Sequence, residues 1–475
     1  MAEQMDREEL TEKLRDHDQQ HLIEWLGELE EEERERLEAQ LAGIDFGRLE
    51  DFQHLLDTPP TAVSFGDVEP ARIERLPLTP EDQEQEEKVE EIGRDVLRAD
   101  RVAALTVAGG QGTRLRYEHA KGMYPISPIK EKSLFQMFAE QILAARRRYG
   151  CAMPWLIMTG PTNDQETREF FANNDYFGLG GDSVHFFIQG ANPIIDPDGR
   201  LLLAERDRLL MGPDGHGGTL DALARHGLLQ MLREGGWDLV SYFQVDNPLV
   251  TVADPRYLGH HVRRDADFSC KVVPKRDPEE GLGIAVRKGG QPAIIEYIDV
   301  PEEIAAQRRP SGELRYRYGS IAIHIFGVPF AERVAGTEQG LPWHVAKKQY
   351  EIYEPGDGNE LSPPEHCHKF ERFIFDSLKF ADECAFVEVR RNAEFAPVKN
   401  AEGEDSPATA RRLLQRYWME WVMKASALEE TPQEFSEPII EISPLFAADA
   451  AELEDKAPSD WKPTFPLVLD EDSEI

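Results

Sequence analysis

Val102 to Val107 form an apolar run that leads through Ala108 directly into Gly109-Gly110-Gln111-Gly112-Thr113-Arg114, and this passage restricts the fold more than any other. A short apolar run without polar alternation reads as a strand buried on both faces, as in a sheet covered by helices. The glycines let the backbone turn tightly and bring N–H groups against phosphate oxygens with no Cβ in the way. Arg114 can grip a phosphate as a fork, and Lys121 supplies a mobile point charge. The loop is not a Walker A motif, because the Gly-Lys-Ser/Thr ending is absent. It does not match GxGxxG either, because Arg114 stands near the place of the third glycine, and that argues against a dinucleotide oxidoreductase. Taken bare, the glycines also fit an ordinary strand-to-loop turn with an exposed Arg and Lys.

The rest of the chain continues the alternation that this strand begins. Strands are expected at Trp155–Thr159, Val184–Gln189 and Leu239–Val245. Helices are expected at Ser133–Tyr149, from about Gln165, and over Leu220–Arg233. Such alternation implies an α/β fold with a mostly parallel sheet, extended by strands at Asp267–Val273, Gly283–Val286, Ile294–Tyr297 and Ser320–Phe326 that suit one wall of a substrate cleft. Phe370–Lys379 reads as helical, Phe386–Arg390 as a strand and Ser406–Met423 as a helix. Ahead of this core, Glu8–Leu41 carries Leu10, Leu14, Leu22, Ile23, Leu26, Leu29, Leu37 and Leu41 at mostly helical spacings. Thr79-Pro80-Glu81-Asp82 marks the start of a helix to about Arg98. Three segments follow: a helical N-terminal arm (1–98), a catalytic domain (99–385) and a small C-terminal domain with an acidic, loosely ordered tail (386–475).

Composition narrows the partners. With 53 basic and 90 acidic residues the net charge is −37, which repels nucleic acid and anionic membranes. Any anion site must therefore be built locally. Two readings of the acidity stay open, a high-salt adaptation and an acidic solvated surface. Cys151, Cys270, Cys367 and Cys384 form no CxxC pair, and no signal sequence or membrane-length apolar run is visible, so a reduced cytoplasmic setting is expected. Glu365-His366-Cys367-His368 contains metal-ligand types but lacks a second half at zinc spacing. His260-His261 reads as helix decoration.

Asp246 ends the strand Leu239–Val245. Ligands of α/β proteins bind at that edge, and a hard oxygen there suits Mg²⁺ bridging phosphates; a turn-capping Asp beside Asn247-Pro248 is the plain alternative. Gly215-His216-Gly217-Gly218, before a helix, suits close approach by a nucleotide or sugar. Lys271 reads equally as a phosphate contact or not.

The strings GGQGTRL, AKGMYPISP, SLFQMFAEQI, FFANNDYFGL, VHFFIQG, MGPDGHGG, VDNPLVTVADPRYLG, IIEY, FERFIFDSLKF and EFAPVKNA resemble, in order, segments of the eukaryotic-type UDP-sugar pyrophosphorylases. The N-acetylglucosamine branch is the most similar, over residues 100 to 420. The resemblance implies a Rossmann-like nucleotidyltransferase core that joins UTP to a sugar 1-phosphate with Mg²⁺ and releases pyrophosphate. It implies catalytic roles for Arg114, Lys121 and Lys399, and contacts to uracil from Gly109, Gly110 and Gln189. Gly215 and His216 are implied as substrate-binding residues and Glu296 as a sugar ligand. Four residues depart from the family pattern. His216 stands where Asn is usual, Arg116 where glycine follows the loop, Ala120 where proline precedes Lys-Gly, and Ser320 where Asn usually reaches the N-acetyl-bearing ring. The last weakens N-acetylglucosamine preference and makes glucose or galactose 1-phosphate an alternative. An inactive UDP-sugar sensor is the alternative outside catalysis.

Overall fold

The computed structural model describes residues 6–58, 63–337, 340–354, 365–428 and 439–475. The chain folds into two units. Each unit gathers stretches far apart in the chain.

The larger unit spans Ser64–Gln189, Thr219–Gly340 and Phe375–Ile475. Its sheet has eleven strands: β1 (Val68–Pro70), β2 (Ile73–Glu74), β3 (Val102–Val107), β4 (Trp155–Thr159), β5 (Val184–Ile188), β6 (Leu239–Gln244), β7 (Phe268–Pro274), β8 (Ile284–Lys288), β9 (Gln291–Ile295), β10 (Tyr318–Gly327) and β11 (Cys384–Glu388). The main path runs β2-β11-β7-β10-β6-β3-β4-β5, and β8 links β1, β9 and β10 off it. Only β10 runs antiparallel to its neighbours on the main path, so the sheet is mostly parallel there. The run that opens at Val102 is indeed a covered strand, with Val102 to Leu105 at most 2% exposed. The helix Leu134–Tyr149 is capped by Ser133, whose side chain accepts the Gln136 N–H, and it stops at Gly150 in the left-handed conformation. Helices Pro80–Arg98 and Pro255–Arg263 cross so closely that a Cβ on Gly93 would lie 1.7 Å from Pro255 O, and one on Gly259 1.8 Å from Val89 O. Glycine alone fits that crossing.

The smaller unit comprises the described residues of Met1–Val63, Gly190–Gly218 and Leu341–Ile374. Glu8–Leu41 lies in three helices, Arg7–Asp16, Gln20–Glu28 and Glu31–Ala42, followed by Phe46–Asp57. Leu10, Leu14, Leu22, Leu26, Leu29, Leu37 and Leu41 all point inward, as their spacing requires. They pack with Ile195, Leu201, Leu203, Leu209, Tyr353 and Phe370 from the later stretches.

Three expectations are corrected. Phe370 belongs to the strand Glu365–Glu371, and Ile374–Phe380 is a 3₁₀ turn, so no α-helix covers Phe370–Lys379. Leu220–Arg233 is two helices, Thr219–Arg225 and Leu228–Gly235, parted by Gly227 at φ 71°. The acidic tail is ordered: Ile440–Ile442 pairs in parallel with Leu467–Leu469, and Ala450–Lys456 is a helix capped by Asp449.

Candidate active site

The C-terminal ends of β3, β4, β5 and β6 lie level at one sheet edge. Ala108 N donates to Met158 O at 2.7 Å, Gln189 N to Thr159 O at 2.8 Å, and Val245 N to Val107 O at 3.1 Å. Gly109, Gly110, Gln189 and Asp246 therefore emerge together. A Cβ on Gly109 would stand 2.7 Å from Gln189 Oε1, so the missing side chain is what lets the buried Gln189 amide lie over the glycine turn. An amide there presents both a donor and an acceptor to a planar base.

Beyond Gly110 the chain loops out and returns. Gly112 N donates to His119 O at 3.1 Å, and Lys121 N to Gly110 O at 3.3 Å. This closure turns the Lys121 side chain inward, where Nζ lies 3.1 Å from Asp246 Oδ2. Buried Leu115 pins the turn Thr113–Leu115 and leaves Arg114 exposed on it. Arg116 takes the left-handed conformation at φ 55° and pairs with Glu402 at 3.1 Å in solvent.

Lys399 arrives from the far end of the chain. Val398 N donates to Asp246 O at 2.8 Å, and the Asn247 amide bridges the same segment, giving to Glu394 O at 2.7 Å and taking from Ala396 N at 2.9 Å. Asn247 thus fastens two distant segments rather than only shaping its own turn. Lys399 Nζ stands 4.0 Å from Asp405 Oδ2. Burial pushes the Asp405 carboxyl above its usual range although Lys399 pulls it down.

Glu296 and Ser320 meet around Gly283. Ser320 N donates to Gly283 O at 2.8 Å, and Glu296 Oε1 lies 3.3 Å from the place of a Gly283 Cβ. Because β10 runs antiparallel to β6, with Leu239 opposite Gly327 and Tyr242 opposite His324, its first residues, Ser320 among them, lie toward the C-terminal end of β6. Ser320 thus lies toward the same end of the sheet as Asp246.

Gly215 and His216 belong to the smaller unit. A Cβ on Gly215 would meet Arg372 O at 2.4 Å, and Gly217 N donates to Arg372 O at 2.7 Å. His216 Nδ1 accepts the Ile374 N–H at 3.1 Å, which puts the proton of the neutral ring on Nε2.

Lys271 does not reach this edge. It is fully buried between Asp254 and Glu394. His260 and His261 are not decoration either, since both are 2% exposed. His260 Nε2 bonds Glu86 at 2.8 Å, and His261 Nδ1 bonds Ser269 Oγ at 2.7 Å.

Two contributors escaped the sequence reading. Asn163 is buried; its Nδ2 donates to Ala108 O at 3.0 Å and Gly110 O at 3.3 Å, while its Oδ1 takes the Gly160 N–H at 2.7 Å. It ties down the Ala108 carbonyl and shares the Gly110 carbonyl with Lys121 N. Glu166 accepts the Ala120 N–H at 3.1 Å and bonds His119 at 2.5 Å, which braces the returning limb that carries Lys121. The only sequence signal was Thr-Asn-Asp after a strand, which also fits a plain helix start.

The family model described as UTP--glucose-1-phosphate uridylyltransferase matches residues 52–459. The chain belongs to this family. It is 35% identical to the human UDP-N-acetylhexosamine pyrophosphorylase-like protein 1, covering 96% of this chain and 95% of that protein. It is 34% identical to UDP-N-acetylglucosamine diphosphorylase 2 of Arabidopsis thaliana, over 94% of this chain and 90% of that one. Among solved structures, the uridine diphosphate N-acetylglucosamine pyrophosphorylase of Trypanosoma brucei aligns with a TM-score of 0.80 at 28% identity, covering 94% of this chain and 93% of that one. As a member of the uridylyltransferase family, the chain has that family's mixed α/β nucleotidyltransferase-like fold. The glycine loop, Lys121, Asp246 and Lys399 all fall within the matched residues.

Proposed function

We propose that this protein transfers a uridylyl group from UTP to a sugar 1-phosphate, N-acetylglucosamine 1-phosphate being favoured, and releases pyrophosphate. One observation carries the reading: Gly109, Gly110, Lys121, Asp246 and Lys399 converge at one sheet edge although 290 positions separate the first from the last. A −37 chain gathers cations and bare backbone there, as an anionic substrate requires.

The sugar phosphate oxygen attacks the α-phosphorus in line. It is already anionic, so the site needs no strong base, and catalysis is positioning plus charge neutralisation. Gly109, Gly110 and Gln189 hold uracil. Lys121, Arg114 and Lys399 offset the charge that grows on the leaving pyrophosphate. Glu296 accepts hydrogen bonds from sugar hydroxyls, Ser320 lines the same side, and Gly215 and His216 contact substrate.

Asp246 offers one hard oxygen ligand, and no group of three or more His, Cys, Asp or Glu suited to a metal occurs among the described residues. One carboxylate fits Mg²⁺, which keeps its waters and takes its other ligands from phosphates. Asp246 would hold that ion, and the ion would neutralise phosphate charge.

Four free cysteines support a reducing, cytoplasmic setting. No helix among the described residues is long and apolar enough to cross a membrane.

The test is pyrophosphate release from UTP with a panel of sugar 1-phosphates. The expected result is UTP-dependent release, fastest with N-acetylglucosamine 1-phosphate. Binding of UDP-sugar without release would point to a sensor, and faster release with glucose or galactose 1-phosphate would reassign the sugar.

A further inference from the structure

Among the described residues, Lys271 is the one large charged side chain that is completely buried. Its ammonium lies 2.6 Å from Asp254 Oδ2 and 2.8 Å from Glu394 Oε1, and 5.2 Å from the centre of the Tyr257 ring. Burial opposes the charge, yet the two carboxylates hold the ammonium above its ordinary range. Asp254 also caps the helix Pro255–Arg263 through the Tyr257 N–H, and the second oxygen of Glu394 takes the Thr251 N–H at 3.3 Å. A buried ion cluster is a poor stability device, because apolar residues of the same volume commonly do as well. What it does supply is a fixed direction for each group.

That direction leads to the active site. The Glu394 side chain is clamped by Lys271, and its carbonyl takes the Asn247 amide at 2.7 Å. Asn247 in turn accepts the Ala396 N–H at 2.9 Å, and Val398 N reaches Asp246 O at 2.8 Å. Lys399 is the next residue. The chain of bonds therefore runs from the core ammonium to the backbone that carries both Asp246 and Lys399.

We infer that Lys271, acting through Glu394 and Asn247, is a positioning residue that fixes Lys399 against Asp246 for the transfer step. The inference rests on the assignment of Asp246 and Lys399 to the phosphate site given above. Lys271 touches no substrate; it sets the place of groups that do.

A double-mutant cycle on the full chain tests it, with kcat, KM for each substrate, the Mg²⁺ requirement and the melting temperature measured for each variant. Lys271→Met lowers kcat about 10- to 100-fold, the scale of a small misplacement of a catalytic group. KM for the sugar 1-phosphate stays unchanged, and Lys271→Arg recovers part of the loss. Added to Lys399→Ala, Lys271→Met costs nothing further, because both remove one contribution. If Lys271→Met does not fold, Asn247→Ala interrupts the same path with a neutral side chain and enters the same cycle. Losses that multiply in the double variant overturn the proposal, as does a Lys271→Met enzyme that melts earlier with kcat intact. A Lys399→Ala enzyme with unchanged kcat overturns the site assignment and this proposal with it. A crippled Lys399→Ala enzyme with multiplying losses overturns the proposal alone.

Discussion

Lys121 Nζ rests 3.1 Å from Asp246 Oδ2, and each side chain is 15% exposed. The pair joins the returning limb of the glycine loop to the end of β6. In the proposed mechanism, an ammonium already held in place would need little reorganisation when phosphate charge appears. Lys121→Ala should lower kcat about 10²- to 10³-fold, the usual effect of losing one preorganised donor. Steady-state pyrophosphate release checks this, with circular dichroism confirming the fold. A kcat within twofold of the parent would remove Lys121 from the mechanism.

Gly109 and Gln189 make a second prediction. A Cβ at Gly109 would lie 2.7 Å from Gln189 Oε1, below any ordinary contact. Gly109→Ala should displace the amide and raise KM for UTP about tenfold, near 1.4 kcal/mol, while KM for the sugar phosphate holds. Equal rises in both constants would mean that the loop as a whole has moved.

Arg116 offers a stabilising change. Its φ of 55° belongs to the left-handed region, and its ion pair with Glu402 is 78% and 80% exposed. Such a pair contributes almost nothing. Relief of a left-handed L-residue gains about 1–2 kcal/mol, and the entropy of glycine returns about 0.5–1. Arg116→Gly should therefore raise stability by about 1 kcal/mol, seen as a higher urea midpoint at unchanged slope.

His261 links stability to pH. Burial lowers its pKa from 6.5 to about 4, so the folded state resists protonation more than the unfolded chain does. Its contribution is fully present above pH 6.5 and falls away as the pH drops toward 4. The size is about 3 kcal/mol at about 1.4 kcal/mol per pH unit. His261→Gln should flatten this part of the urea-midpoint profile between pH 6.5 and 4. An unchanged slope there would show that His261 protonates freely in the folded protein.

Ser320 governs a specificity prediction. Ser320→Asn restores the longer amide beside Glu296 and should improve the kcat/KM ratio of N-acetylglucosamine over glucose 1-phosphate about tenfold or more. A ratio that does not move would place sugar choice elsewhere.

The geometry of the candidate edge was largely legible because its parts are local strings. A covered strand followed by glycines, and an acid at a strand end, each announce their geometry within a few residues. The leucine spacing of the first helices gave their inner face for the same reason. What stayed hidden depends on distance in the chain. Lys271 in Cys-Lys-Val-Val looks like a strand residue able to face ligand, and only Asp254 and Glu394 show that it faces the core. Asn163 reads as a helix start until the carbonyls of Ala108 and Gly110 are seen above it. Phe370 sits in a string with helical character, but pairing with Val345 draws it into a strand.

The core of the smaller unit has a consequence for synthesis. Leu14, Leu37 and Phe52 are made early, whereas Tyr353 and Phe370, which share that core, emerge some 300 residues later. At about 5–20 residues per second the ribosome needs roughly 15 to 60 s to supply them. Through that interval the first helices present an unfinished greasy face to the cell. A chaperone that engages the nascent chain during this window, and lets go once Phe370 clears the exit tunnel, would be matched to the order in which this protein is written.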